Sequence, residues 1–199
     1  RIETITGKLP SCDAVIATGN NTSARYFDYY FRNIPRILRK NRNSVAVLTG
    51  SESKEQLKAL GEDIFRYYGL GCRNVSSLLV PKRYSFNDFF EQMYSFGDII
   101  HHKKYGNNYD YHRALLLLNK VPFLDNHFLL LTGAEQPGSP VGVLHFREYE
   151  NREELQLYLE KHKNDLQCIV SIDAGVAGAV SPGQTQHPTL NDYADQTDT

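Results

Sequence analysis

Between Ser53 and Pro81 the apolar pattern changes period once, and that change limits the folds open to the chain. Leu57, Leu60, Ile64, Phe65 and Tyr68 recur at helical spacing and give one apolar stripe. Lys54, Glu55, Lys58 and Glu62 fall mostly on the opposite side. VSSLLV, Val75 to Val80, then reads as a buried strand closed by Pro81. Gly69 stands where a helix ends in a left-handed residue, with Leu70 as the apolar contact that often follows. Gly71 adds a second point of backbone freedom just before Cys72. A helix, a glycine-flanked turn carrying a thiol and a strand would present Cys72 at a sheet edge.

The residues alone leave two readings of Cys72 open. One is a catalytic nucleophile, with Arg73 as a neighbouring cation that could lower the thiol pKa. The other is a buried structural thiol, since free cysteine packs as a small hydrophobe.

The same alternation runs through the chain. Asp13–Gly19 is a short apolar run ending in glycine, as a buried parallel strand would be. A helix with apolar Ala24, Phe27, Tyr30, Phe31 and Ile34 follows, capped by Asn20, Asn21 or Thr22 and ended by Pro35. This strand, Gly-Asn turn and helix start would serve as an anion or nicotinamide contact, or equally as an ordinary capped turn. Arg36–Asn43 is basic and reads as a solvated face or a phosphate contact. Ser44–Gly50 is the next strand. Ser85–Ile100 reads as a helix with Ser85 as a cap, His101–His112 as a mobile loop and Arg113–Lys120 as a short helix.

His127–Gly133 and Val141–Phe146 read as strands, Asn151–Lys163 as a capped helix, and Gln167–Ile172 as a core strand containing Cys168. The segment from Asp173 is loop-like and is expected to lie along a neighbouring element. Strands alternating with helices predict an α/β fold with a largely parallel sheet.

Composition removes several function classes. The formal net charge of −1 gives no general attraction to nucleic acid or anionic membrane. No apolar run is long enough to span a bilayer. Cys12, Cys72 and Cys168 are an odd count without disulfide or metal spacing, which suits a reducing, cytoplasmic compartment. His101, His102 and His112 lack a completing ligand pattern, so no metal is expected. The chain begins at Arg1, and is read as a piece of something longer.

Several stretches together resemble the fatty acyl-CoA reductase family related to bacterial luminescence reductases, within the aldehyde dehydrogenase superfamily. They are IATGNNTSARYFDYYF, NRNSVAVLTG, GEDIFRYYGLGCRNVSSLLVP, SPVGVLHFREYEN and GQTQHPTLNDYADQTDT. The resemblance implies the end of a Rossmann-type cofactor domain over residues 1–42, a catalytic domain over 43–172 and a C-terminal tail over 173–199. It implies that most of the cofactor domain, with an oxyanion-hole asparagine, precedes Arg1, which would leave this chain alone inactive.

Cys72 is then the nucleophile that takes an acyl group from acyl-CoA. Thr18, Gly19 and Asn20, and more loosely Glu135, would contact the cofactor, expected to be NADPH with NADH as the alternative. The family precedent also implies homo-oligomers. Hydrolytic relatives carry a glutamate near the position of Leu38, where this chain has no carboxylate. That departure argues against the alternative of an aldehyde dehydrogenase running toward acid. A non-catalytic scaffold subunit with the same fold is a further alternative.

Overall fold

The structure, a computed structural model, describes residues 4–7, 11–189 and 192. The chain divides into two compact units, Arg1–Asn41 and Arg42–Thr199.

The first unit is a single βαβ turn of chain. Strand β1, Val15–Thr18, leads into helix α1, Asn21–Tyr30, and β2, Arg36–Arg39, pairs parallel to β1. Asn20 caps α1 by accepting from the Ser23 N–H at 2.8 Å. Ala24 is the buried helix residue. The basic run expected to be a solvated face is therefore a strand in part. Ile37 and Leu38 stand between Arg36 and Arg39 and pair with Ile16 and Ala17, and the charge run hid this short apolar step.

The second unit is built on a six-stranded sheet. Its strands are β3 (Asn43–Val47), β4 (Val75–Pro81), β5 (Phe123–Asp125), β6 (Leu130–Gly133), β7 (Val143–Tyr149) and β8 (Leu166–Ser171). The spatial order is β5-β6-β7-β4-β3-β8. Every pairing is parallel except β5 with β6, so the sheet is largely parallel, as the sequence predicts.

Alternation along the central strands sends side chains to two layers. Ala46, Leu78, Val80, Leu144 and Val170 face helix α2 (Lys54–Phe65) and helix α3 (Asn87–Met93), meeting Leu57, Leu60, Ile64, Phe89 and Met93. Val45, Val47 and Leu79 turn the other way onto Leu155 and Tyr158 of α5, Arg152–His162. Burying each such aliphatic side chain contributes about 1.5–3 kcal/mol. Ser53 and Gln56 form a reciprocal capping box that fixes where α2 begins.

Three expectations change. The segment expected to be a mobile loop from His101 to His112 lies mostly in helix α4, Lys103–Leu118, which also absorbs the predicted short helix. Tyr105 and Tyr109 anchor it one turn apart, the first donating to the Phe128 carbonyl at 3.0 Å and the second to Asp125 at 2.6 Å. Two buried tyrosines among Lys, Asn and Asp are too sparse an apolar stripe to read in advance.

The expected helix over residues 85–100 is divided into α3 and a 3-10 segment, Tyr94–His101, and Phe86, not Ser85, is its cap residue. Leu70, expected as an apolar contact at the end of α2, is 71% exposed. Helix α2 stops at Phe65, so Tyr68 leaves the predicted stripe and stacks on His102 at 4.0 Å between ring centroids.

No helix among the described residues is long and apolar enough to cross a membrane.

Candidate active site

Cys72 lies one short turn before β4, at the amino-terminal edge of the parallel sheet, and its side chain is exposed. The chain reaches it through an uncommon backbone. Tyr67 (φ 53°), Tyr68 (φ 61°) and Gly69 (φ 72°) are left-handed in succession. For a residue with a Cβ each such conformation costs about 1–2 kcal/mol. Strain of this kind persists only where the surroundings impose it, and it concentrates at functional sites.

The surroundings are one buried side chain, Asn74. Its amide donates to the carbonyls of Asp63 at 2.9 Å and Arg66 at 2.8 Å, closing the end of α2. Its Oδ1 accepts from the Gly71 N–H at 2.8 Å, and its N–H donates to the Gly71 carbonyl at 3.0 Å. A Cβ on Gly71 would stand 2.9 Å from that Oδ1, so the position needs glycine for close approach. The turn that carries Cys72 is thus tied to the helix before it by a residue two places later.

A second tie runs to the sheet. The buried Ser44 hydroxyl on β3 donates to the Cys72 carbonyl at 2.9 Å and accepts from the Cys168 N–H on β8 at 3.1 Å. Arg73 does not serve Cys72 as the sequence suggested. Its guanidinium donates to Cys168 Sγ at 3.2 Å and to the Thr185 carbonyl at 3.2 Å, and pairs with Asp192 at 2.9 Å. Burial pushes the Cys168 thiol up, with Arg73 drawing it back.

The segment after β8 is held by Asp63 on α2. This buried carboxylate accepts from Gly183 N–H at 2.6 Å, Thr185 N–H at 3.1 Å and Thr185 Oγ1 at 2.7 Å. Burial raises its pKa, and those three hydrogen bonds oppose the shift. The tail does lie along a neighbouring element, up to its last described residues; positions 190–191 and 193–199 fall outside them. Ser44, Asp63, Asn74 and Thr185 escaped the sequence reading. An Asp on the apolar side of α2, one place before Ile64, was the available signal for Asp63.

The cofactor candidates are placed as follows. Thr18 ends β1 with its side chain exposed. The Gly19 N–H donates to the Arg39 carbonyl at 3.1 Å, and Asn20 Oδ1 is taken by its capping bond. Glu135 follows β6 and forms an ion pair with Arg147, which also pairs with Glu154 at 3.0 Å. Arg147 is level with Leu79 in the sheet, four positions past Val75. Glu135 therefore engages the sheet about 13 Å along the strands from the edge that carries Cys72. The structure does not bring these two together. Among the described residues no group of three or more His, Cys, Asp or Glu side chains could hold a metal ion.

No family model matches the chain, and no curated protein matches it. Solved structures do. An indole-3-acetaldehyde dehydrogenase with bound NAD+ superposes with a TM-score of 0.59 at 13% identity, over 84% of this chain and 41% of that one.

The fold is aldehyde dehydrogenase-like.

A putative aldehyde dehydrogenase from Burkholderia cenocepacia gives 0.56 at 13% identity, covering 81% of this chain and 42% of that one. A proline utilization A protein from Bradyrhizobium japonicum gives 0.59 at 16%, covering 82% and 20%. The chain with this aldehyde dehydrogenase-like fold thus spans about two-fifths, or less, of the length of the proteins it matches.

Proposed function

We propose that this chain carries the nucleophile of an acyl-CoA reductase, with Cys72 forming an acyl-enzyme that is reduced to an aldehyde. The observation that carries the reading is an exposed cysteine on a left-handed, glycine-bearing turn, fixed by Asn74 and Ser44, in an aldehyde dehydrogenase-like fold.

Cys72, as thiolate, attacks the thioester carbonyl, and coenzyme A leaves as its thiol. Covalent catalysis divides one difficult step into two. Asn74 and Ser44 hold the turn, and a backbone N–H there is the natural donor for the tetrahedral oxyanion. A bound reduced nicotinamide supplies the hydride. Of the residues assigned to it by resemblance, Thr18 fits best: its hydroxyl is exposed, whereas Gly19 N–H and Asn20 Oδ1 already have partners. Residues 1–42 are read as the end of the cofactor domain, 43–172 as the catalytic domain and 173–199 as its tail. NADPH is the preferred donor and NADH the alternative.

Leu38 supports reduction over acid formation. It pairs with Ala17 inside β2 and offers no base to activate water. The full protein is read as a cytoplasmic homo-oligomer.

The test separates the half-reactions. Long-chain acyl-CoA is mixed with the protein without cofactor, and the acyl group is sought on Cys72 by peptide mass spectrometry. The full-length protein is then given NADPH, and loss of the reduced cofactor is followed by absorbance. Acylation and oxidation that both vanish in Cys72→Ala support the proposal. An unacylated Cys72 with no cofactor consumed would leave the fold and sink the function, favouring a scaffold.

A further inference from the structure

Cys168 is buried on β8, yet it is wired to the turn that carries Cys72. One hydroxyl, Ser44 Oγ, lies between the Cys72 carbonyl at 2.9 Å and the Cys168 N–H at 3.1 Å. The residue next to Cys72, Arg73, places its guanidinium on Cys168 Sγ at 3.2 Å. Cys168 lines a cavity of about 170 Å³ with Leu166, Ile169, Val180 and Asp192. An exposed thiol, a buried thiol whose backbone shares one hydroxyl with it and a cation on the buried one form an arrangement that simple packing does not require.

We propose that Cys72 and Cys168 are a peroxide-sensitive pair, in which oxidised Cys72 is captured by Cys168 as an intramolecular disulfide. The disulfide stands on the geometry alone. Its consequence, reversible withdrawal of the nucleophile, rests on the function proposed for Cys72.

The chemistry balances. Cys72 sulfur attacks one oxygen of hydrogen peroxide; an S–O bond forms, the O–O bond breaks, and hydroxide leaves as water with the thiol proton. The sulfur is oxidised by two electrons and the peroxide reduced. Cys168 sulfur then attacks Cys72 sulfur; the S–S bond forms, the S–O bond breaks, and hydroxide leaves with the Cys168 proton as a second water. Arg73 stabilises the attacking thiolate. A disulfide needs Cα atoms within about 7 Å. The Cys72 carbonyl and the Cys168 N–H share the Ser44 hydroxyl at 2.9 and 3.1 Å, so the two backbones approach each other through a single atom. A thiol reductant reverses the bridge.

The protein and its Cys12→Ser and Cys168→Ser variants are treated with hydrogen peroxide in the presence of dimedone. They are then mapped by mass spectrometry without reduction. Wild type and Cys12→Ser should yield a Cys72–Cys168 linked peptide that dithiothreitol abolishes. Cys168→Ser should yield no bridge, with Cys72 captured by dimedone as the sulfenic acid. Cys72 driven to sulfinic acid beside a free Cys168 thiol, a bridge using Cys12, or no oxidation at all would overturn the pair. Acyl transfer from acyl-CoA should be lost on bridging and return with dithiothreitol. A protein that bridges but never accepts an acyl group retains the redox pair and loses the proposed function.

Discussion

At the scale of single residues, Asn74 and Ser44 decide whether Cys72 is held. Asn74→Ala removes the partners of two carbonyls and the Gly71 N–H at a buried site. Buried polar groups left unpaired cost about 1–3 kcal/mol each, so the variant should lose about 3 kcal/mol in a urea unfolding series. Ser44→Ala strands the buried Cys168 N–H and should cost about 1–3 kcal/mol by the same measurement.

Alkylation by iodoacetamide gives a kinetic check on the nucleophile. Burial should make Cys168 the slowest thiol, and a catalytic Cys72 should react faster than Cys12, which is also exposed. Cys72 was legible in the sequence because glycine spacing and the change of period mark it. Its supports were not, because Ser44 and Asn74 matter through bonds to residues far along the chain or on the backbone.

At the scale of elements, the joint between α2 and β4 carries a cost that substitution can reveal. Tyr67 is left-handed and 63% exposed. Tyr67→Gly should raise stability by about 1 kcal/mol, read as a higher thermal midpoint, because glycine adopts that φ without the Cβ clash. The clamp between α2 and the tail has a pH signature. The folded pKa of Asp63 is raised, so in the window above the ordinary carboxylate value the folded state holds more protons than the unfolded one. Its contribution is most favourable at low pH and declines as pH rises through the folded pKa. The stability of wild type relative to Asp63→Asn, followed through urea midpoints over the acidic range, should fall in that direction.

Strands β3, β4 and β8 and helix α5 were readable because their apolar residues are consecutive or sharply periodic. Helix α4 was not, because its stability comes from Tyr105 meeting Phe128 between β5 and β6 and Tyr109 meeting strand residues, contacts that no local pattern specifies.

At the scale of the molecule, the fold class followed from alternation alone, while the order β5-β6-β7-β4-β3-β8 did not. Strands β6 and β7 are parallel although only a short loop separates them, a connection that the sequence suggests as a simple turn. That loop crosses back along the sheet, with the Pro137 carbonyl accepting from Ser76 at 2.9 Å. Apolar residues also remain uncovered beside the β5 edge: Leu117, Leu118 and Leu124 are 55%, 78% and 45% exposed. Leu118→Glu should leave the unfolding free energy within about 0.5 kcal/mol of wild type, as surface changes do. It should also lower self-association in sedimentation experiments.

The shared hydroxyl of Ser44 also carries a consequence for synthesis. It joins a turn 28 residues downstream to a strand 124 residues downstream. A ribosome delivers Cys72 long before it delivers Leu166, and domains of this kind close only after their last strand emerges. Until β8 docks, the nascent chain has the thiol but only half of its mooring, so the turn is completed when β8 arrives and not when its own residues appear.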